Sequence, residues 1–335
     1  MKKIQIIAEA GVNHNGDINQ AIKLVDVAAA AGADYVKFQT FVAESNITKN
    51  ASKADYQIQN TLNKDESQLD MVKKLELTFD EHLILAKHCN KKKITFLSTA
   101  FDLQSIDWIK KLKVPFFKVP SGEINNLPYL RKAVKNFNKF VISTGMCNLE
   151  EVENSVNILL NNNIKKENIT LLHCTTEYPT PFKYVNLNAM KTLKDKFKIE
   201  VGYSDHTEGI EVPIAAAALG ATIIEKHFTL DKNLDGPDHR ASANPEEISK
   251  MIKSIRIIEQ SLGNYEKNIT PIEMKNKIIA RKSIVAKYPI KKGEIFSEKN
   301  LTCKRPGDGI SPMDWDKLIG KKSKYSFSVD DKIKI

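Results

Sequence analysis

Two short stretches of the sequence carry histidines beside groups that bond metals or protons. Ser204-Asp205-His206 closes one apolar run and Glu225-Lys226-His227 closes the next, with an Ala-rich helical stretch between them. Side chains alternate across a strand, so Ser204 and His206 share a face, and Glu225 and His227 share a face of the following strand. If the two strands are parallel neighbours, both ends open at one rim and two imidazoles meet there, which suits a divalent cation. Either histidine alone is as readily satisfied by a local carbonyl. The pair, each beside a carboxylate or hydroxyl and followed by Asp235-Gly236-Pro237-Asp238-His239, favours a metal.

These groups need a frame. Eight strand-like runs, at 4–10, 34–40, 94–100, 116–121, 140–145, 169–175, 198–204 and 221–228, alternate with amphipathic helical stretches. Gly32 and Gly220 fall where helices should stop, and Asp102 and Asn148 where they should start. Eight strand-then-helix repeats is the count that closes a (β/α)8 TIM barrel. A doubly wound sheet would carry a Gly-rich phosphate turn after an early strand, and AGVNHNGD matches that poorly. The barrel is expected over 1–263, a polar, lysine-rich linker with some helix over 264–280, and a small β-rich domain over 281–335. So small a domain buries little core alone and should dock on a barrel, its own or a neighbour's. The connection 41–77 is long for a barrel loop, as lids and substrate walls are.

The chain has 335 residues and a net charge of +10. Its lysines are dispersed through amphipathic helices, without an arginine-rich or aromatic-interleaved basic motif, so nucleic acid is not an expected partner. No apolar run approaches a membrane span and the first residues lack a signal peptide's features, so a cytoplasmic protein without a membrane partner is expected. The four cysteines are scattered without a C-x-x-C pair and read as reduced thiols.

The strand ends are unusually polar. They carry Glu9 before Asn13-His14-Asn15-Gly16, Lys37 with Gln39, Ser98-Thr99, Lys118 with Ser121 and Glu123, Ser143-Thr144-Gly145, and His173 with Thr176 and Tyr178 beyond it. An unpartnered buried charge costs roughly 3–5 kcal/mol, so these groups must serve one another or a ligand. For Ser98, Gln39 and His173 singly, a satisfied rim residue is as good a reading as function. Two lysines with hydroxyls from Thr99, Ser121, Ser143 and Ser204 suit a small dianion such as a phosphate ester bearing a carboxylate. Two histidines with a metal suit an aldehyde oxygen or an activated water. Glu9, Glu123, Asp238 and Tyr178 suit sugar hydroxyls and proton transfer. An enol phosphate, a metal and a sugar aldehyde together point to a carbon–carbon condensation.

The stretches AEAGVNHNGD, VKFQTF, KVPSGEINNLPYL, ISTGM, HCTTEYPTP, GYSDHTEG, EKHFTLD, GPDH and KRPGDGISP, in this order, closely resemble the sialic acid synthase family. The resemblance covers essentially the whole chain. It implies a TIM barrel followed by an antifreeze-like (SAF) domain, and condensation of phosphoenolpyruvate with an N-acetylmannosamine-type sugar to a nine-carbon 2-keto acid. It further implies manganese or magnesium on His206 and His227, and phosphoenolpyruvate held by Lys37, Thr99, Lys118, Ser121, Ser143 and Ser204. Gln39, Tyr178 and Asp238 match sugar-side positions, and Glu9 and Glu123 match acidic positions of the site. Arg305 matches an arginine that reaches a partner subunit's barrel, which implies a domain-swapped homodimer. Thr176 departs from members that carry Asn there, leaving the sugar contact at that position open. In the implied reaction a hydroxide equivalent reaches C2 from Glu123 or the metal's water, and phosphate leaves by C–O cleavage.

Several readings stay open at this stage. The sugar is N-acetylmannosamine or 2,4-diacetamido-2,4,6-trideoxymannose, giving N-acetylneuraminate or N,N′-diacetyllegionaminate; an altrose isomer giving pseudaminate ranks below both. A Schiff-base pyruvate aldolase using Lys118 is the rival chemistry. An ice- or glycan-binding module on an inactive barrel is the non-enzymatic rival.

Overall fold

The computed structural model describes residues 3–61 and 66–335. The chain divides into two compact units, Met1–Gly263 and Asn264–Ile335. In the first, eight strands alternate with helices: β1 (Gln5–Gly11), β2 (Tyr35–Thr40), β3 (Thr95–Ala100), β4 (Phe117–Val119), β5 (Phe140–Ser143), β6 (Ile169–His173), β7 (Glu200–Asp205) and β8 (Ile223–His227). All ladder pairs among them are parallel, in the order β3-β2-β1-β8-β7-β6-β5-β4. β3 and β4 lie side by side without a ladder, so the expected barrel is near-closed, with one seam. At that seam the buried Tyr129 hydroxyl donates to the carbonyl of Ala100 at 2.7 Å.

Strand parity divides the core. Ile7, Leu97, Phe116, Val141, Leu172 and Ile223 fill the barrel interior. Their neighbours of opposite parity, such as Ile6, Ala8, Phe38, Phe96, Phe117 and Ile224, pack under the helices. Strands buried on both faces read as near-continuous apolar runs, as these do. The helix signals act as their residue types require. Asp102 accepts from Ser105 N, Asn148 forms a capping box with Glu151, and Gly32 ends its helix at φ +82°. Gly202 permits a close approach of strands: a Cβ there would stand 2.5 Å from the carbonyl oxygen of Ile223.

The long connection 41–77 contains three short helices, Ala43–Asn46, Asp55–Thr61 and Gln68–Lys73; its residues 62–65 lie outside the described residues. The second unit begins with helix Pro271–Ala280, within the segment read as a linker. An antiparallel pair follows, β9 (Ser283–Ala286) with β10 (Leu301–Lys304). Ile284, Ala286, Ile290, Phe296, Leu301 and Leu318 give this unit a small core of its own. No described helix is long and apolar enough to cross a membrane.

Candidate active site

The same parity that fills the barrel interior carries Glu9, Lys37, Gln39, Thr99, Lys118, Ser143, Ser204, Glu225 and His227 to the C-terminal rim. With Ser121, Thr176, Tyr178 and His206 they line one pocket of about 130 Å3. A larger cavity, about 950 Å3, is walled by residues 144–152 and 173–193 but carries none of the lysines and neither His206 nor His227. The smaller pocket is where the chemistry can occur.

Its floor is a quartet of buried charges. Lys37 Nζ lies 2.8 Å from Glu9 Oε2 and 3.6 Å from Glu225 Oε2, while Lys118 Nζ lies 3.6 Å from Glu225 Oε1. Lys37 donates to Thr99 Oγ1 (2.9 Å), Lys118 to Ser143 Oγ (2.7 Å), and Ser204 Oγ to Glu225 Oε1 (3.0 Å). Environment pushes the two carboxyls apart. Burial raises Glu9 to about 7 against the pull of Lys37. Burial would raise Glu225 as well, but Lys118 and Lys37 outweigh it and hold that acid at about 2. The lysines also diverge. Burial opposes charge on both, yet Glu225 and Glu9 raise the pKa of Lys37, while that of Lys118 is lowered by burial, with Lys37 adding to the effect. No role for Glu225 follows from the sequence. Its only signal was that it shares a strand face with His227.

The histidines stand above this floor, ring centroids 5.4 Å apart. His206 Nδ1 donates to the carbonyl of Thr175 at 2.6 Å, which leaves Nε2 as a bare lone pair. His227 Nδ1 is buried without a hydrogen-bond partner. Burial lowers His206 to about 4 and, with His206 beside it, holds His227 well below the usual histidine range. Both imidazoles are therefore neutral donors at physiological pH, as metal ligands must be. Among the described residues no group of three or more His, Cys, Asp or Glu side chains is gathered for a metal. The donor set fits a cation held by two imidazoles, with water or substrate oxygens completing its shell.

Tyr178 covers His206, ring centroids 4.1 Å apart, and Tyr56 from the 41–77 connection packs on Tyr178 at 5.0 Å. Asp238 Oδ2 approaches His227 Nδ1 at 3.8 Å, and burial raises its carboxyl to about 6. Ser121 Oγ accepts from Gly145 N (3.0 Å) and lies 3.2 Å from Cys174 Sγ, and the hydroxyl of Thr176 is buried without a partner.

Other expected residues lie apart. Glu123 is not among the lining residues; it accepts from Asn126 Nδ2 at 2.6 Å. Ser98 and His173 have the opposite parity: Ser98 bonds Thr40 Oγ1 (2.6 Å), and His173 Nε2 bonds the carbonyl of Val185 (2.7 Å). Arg305 belongs to the second unit, where its Nε donates to the carbonyl of Ala280 at 2.9 Å. Lys226 and Asp205, between the site residues in sequence, point outward and pair at 2.6 Å with neither side chain exposed.

The chain is thus a parallel eight-stranded barrel of enzyme type, with lysines, carboxylates and two neutral imidazoles gathered at its C-terminal rim, followed by a SAF domain at residues 281–333. Residues 24–267 match the model of the NeuB family, and the chain belongs to that family. It is 56% identical to N,N′-diacetyllegionaminic acid synthase of Campylobacter jejuni over 334 residues, all of both chains. It is 45% identical to the Legionella pneumophila protein of the same name, across 96% of this chain and 91% of the relative. The crystal structure of N-acetylneuraminic acid synthetase from Leptospira borgpetersenii in complex with citrate superposes with a TM-score of 0.73 at 34% identity, covering 82% of this chain and 90% of that one.

Proposed function

We propose that the protein is a nonulosonic acid synthase that condenses phosphoenolpyruvate, 2,4-diacetamido-2,4,6-trideoxymannose and water to N,N′-diacetyllegionaminate and phosphate. The choice of sugar is supported by full-length similarity to two proteins bearing that name. The chemistry rests on one observation above all: Lys37 and Lys118 share the Glu9–Glu225 floor directly beneath two neutral histidines.

In this scheme Lys37 and Lys118, with Thr99, Ser143 and Ser204, bind the phosphate and carboxylate of the enol ester. Citrate, bound by the Leptospira relative, is likewise a compact polyanion. His206 and His227 would hold manganese or magnesium, which when bound supplies Lewis acidity at the sugar's carbonyl oxygen. C3 of the enol ester attacks that carbonyl carbon, and water adds to C2. We assign the water's proton to Glu9, which is poised near neutrality and lines the pocket, rather than to Glu123, which does not line it. The tetrahedral carbon then expels phosphate by C–O cleavage, leaving the ketone. Tyr178 and Tyr56 shield the imidazoles from bulk water, and Asp238 faces the sugar. Arg305 completes the sugar end from a second copy of the chain, so the working unit is a domain-swapped homodimer.

The deciding assay is phosphate release from phosphoenolpyruvate with each sugar, with and without a chelator. Release should require sugar and metal, with kcat/KM higher for the diacetamido sugar than for N-acetylmannosamine. Oxygen-18 bridging the enol carbon should leave with phosphate; its retention in the sugar acid, or release without sugar, would overturn the scheme.

A further inference from the structure

Asp238 has a buried carboxylate beside His227, just outside the pocket lining, yet no described donor holds it. Its nearest basic atom, His227 Nδ1, is 3.8 Å away, beyond hydrogen-bond range. Burial is the sole cause raising its pKa, and no opposing charge or hydrogen bond offsets it. The carboxylate is therefore aimed by its backbone, and the loop that carries it is laced from three sides. Asn15 Nδ2 donates to the carbonyl of Asp235 at 2.8 Å. Asn13 Nδ2 donates to Ser242 Oγ (2.8 Å), which donates to the carbonyl of Asp238 (2.7 Å). The third lace comes from the long connection: Asn60 Nδ2 donates to the carbonyl of Pro237 at 2.6 Å, across 177 residues of sequence.

That third bond differs from the others. The peptide joining Pro237 to Asp238 follows Gly236 at φ +152°, and proline has no N–H to anchor the turn from the other side. Turning this peptide plane swings the Cα–Cβ direction of Asp238. Asn60 also lies one helical turn after Tyr56, on the same face of helix Asp55–Thr61, and Tyr56 packs on Tyr178. One face of this short helix thus meets the site at two points, an aromatic and an amide.

We propose that Asn60 is a positioning residue for the sugar-side carboxylate: by fixing the Pro237 carbonyl it couples the seating of helix Asp55–Thr61 to the aim of Asp238. The coupling rests on the reading of Asp238 as a sugar contact. It predicts a loss confined to sugar binding. Asn60→Asp removes the N–H donor at nearly constant size, and Asn60→Ala removes it without adding charge. Each should raise KM for the sugar about three- to tenfold, the worth of one hydrogen bond, and leave KM for phosphoenolpyruvate and kcat within about twofold. In an Asp238→Asn background the same substitutions should change sugar KM by less than about twofold, because the group they act through is already altered.

Two outcomes would overturn the coupling: equal effects of the Asn60 substitutions in both backgrounds, or a matching rise in KM for phosphoenolpyruvate. If Asp238→Asn itself leaves sugar KM unchanged, the assignment of Asp238 fails first and the coupling falls with it. If Asp238→Asn raises sugar KM but the Asn60 substitutions do not, only the coupling fails.

Discussion

At the scale of single residues, the site depends on two glutamates whose environments drive their acidities apart. Glu9 sits near neutrality while Glu225 is held ionised between two lysines, which separates a proton carrier from a fixed counter-charge. If Glu9 acts as the base, it must be deprotonated, so kcat should rise with pH through an inflection near 7. Glu9→Gln should remove that inflection and lower kcat about 10²- to 10⁴-fold. The same inflection surviving in the variant would assign it to another group. The inward set of the pocket was readable from parity alone, because a period of two puts Lys37 with Gln39, and Ser204 with His206, on one face. What parity could not supply was partnership. Glu225 looks in sequence like a neighbour of His227, and its ion pairs with Lys37 on β2 and Lys118 on β4 join strands that are not adjacent to β8, so they need the barrel's curvature. That Glu123 is not a lining residue is hidden in the same way, since the short helical turn Ser121–Glu123 follows β4 and breaks the alternation.

At the scale of elements, the outward pair of Asp205 and Lys226 stitches β7 to β8 behind the histidines. Lys226 donates to Asp205 Oδ2 (2.6 Å) and the carbonyl of Thr207 (2.5 Å), and Asp205 also accepts from Thr207 Oγ1 and the Tyr203 hydroxyl. This network brackets His206 on both sides in sequence. Asp205→Ala leaves a fully buried cation unpaired, and urea denaturation should show a loss of about 3–5 kcal/mol. Replacing both partners with apolar residues of similar volume should cost less than that single change. All eight strands were legible because runs buried on both faces are apolar throughout, and the Gly, Asp and Asn punctuation marked the helices between them. The helices of 41–77 were not legible: elements of four to seven residues complete too few turns for a period to emerge.

At the scale of the whole molecule, six of the seven histidines, His14, His82, His173, His206, His227 and His239, have pKa values lowered, chiefly by burial. A histidine depressed in the fold binds its proton more readily when unfolded. Stability is thus lost as pH falls from about 6.5, the unfolded value, toward about 4, where burial holds His14, His206 and His239 in the fold. Glu9, Glu123 and Asp238 have raised pKa values and work in the opposite sense. Six imidazoles outweigh three carboxyls, so the melting temperature should drop between pH 6.5 and 4; an unchanged or rising value would mean that the histidines are already protonated in the fold.

The seam between β3 and β4 bears on this whole as well. Everywhere else on the circumference main-chain amides bind stave to stave, but here a phenol reaching in from the helix layer occupies one carbonyl instead. Thr99 and Lys118, both lining the pocket, stand on the two flanks of that gap. The separation of those two pocket residues is therefore set by side-chain packing around Tyr129 rather than by main-chain hydrogen bonds, so a change at that ring should be felt at the pocket.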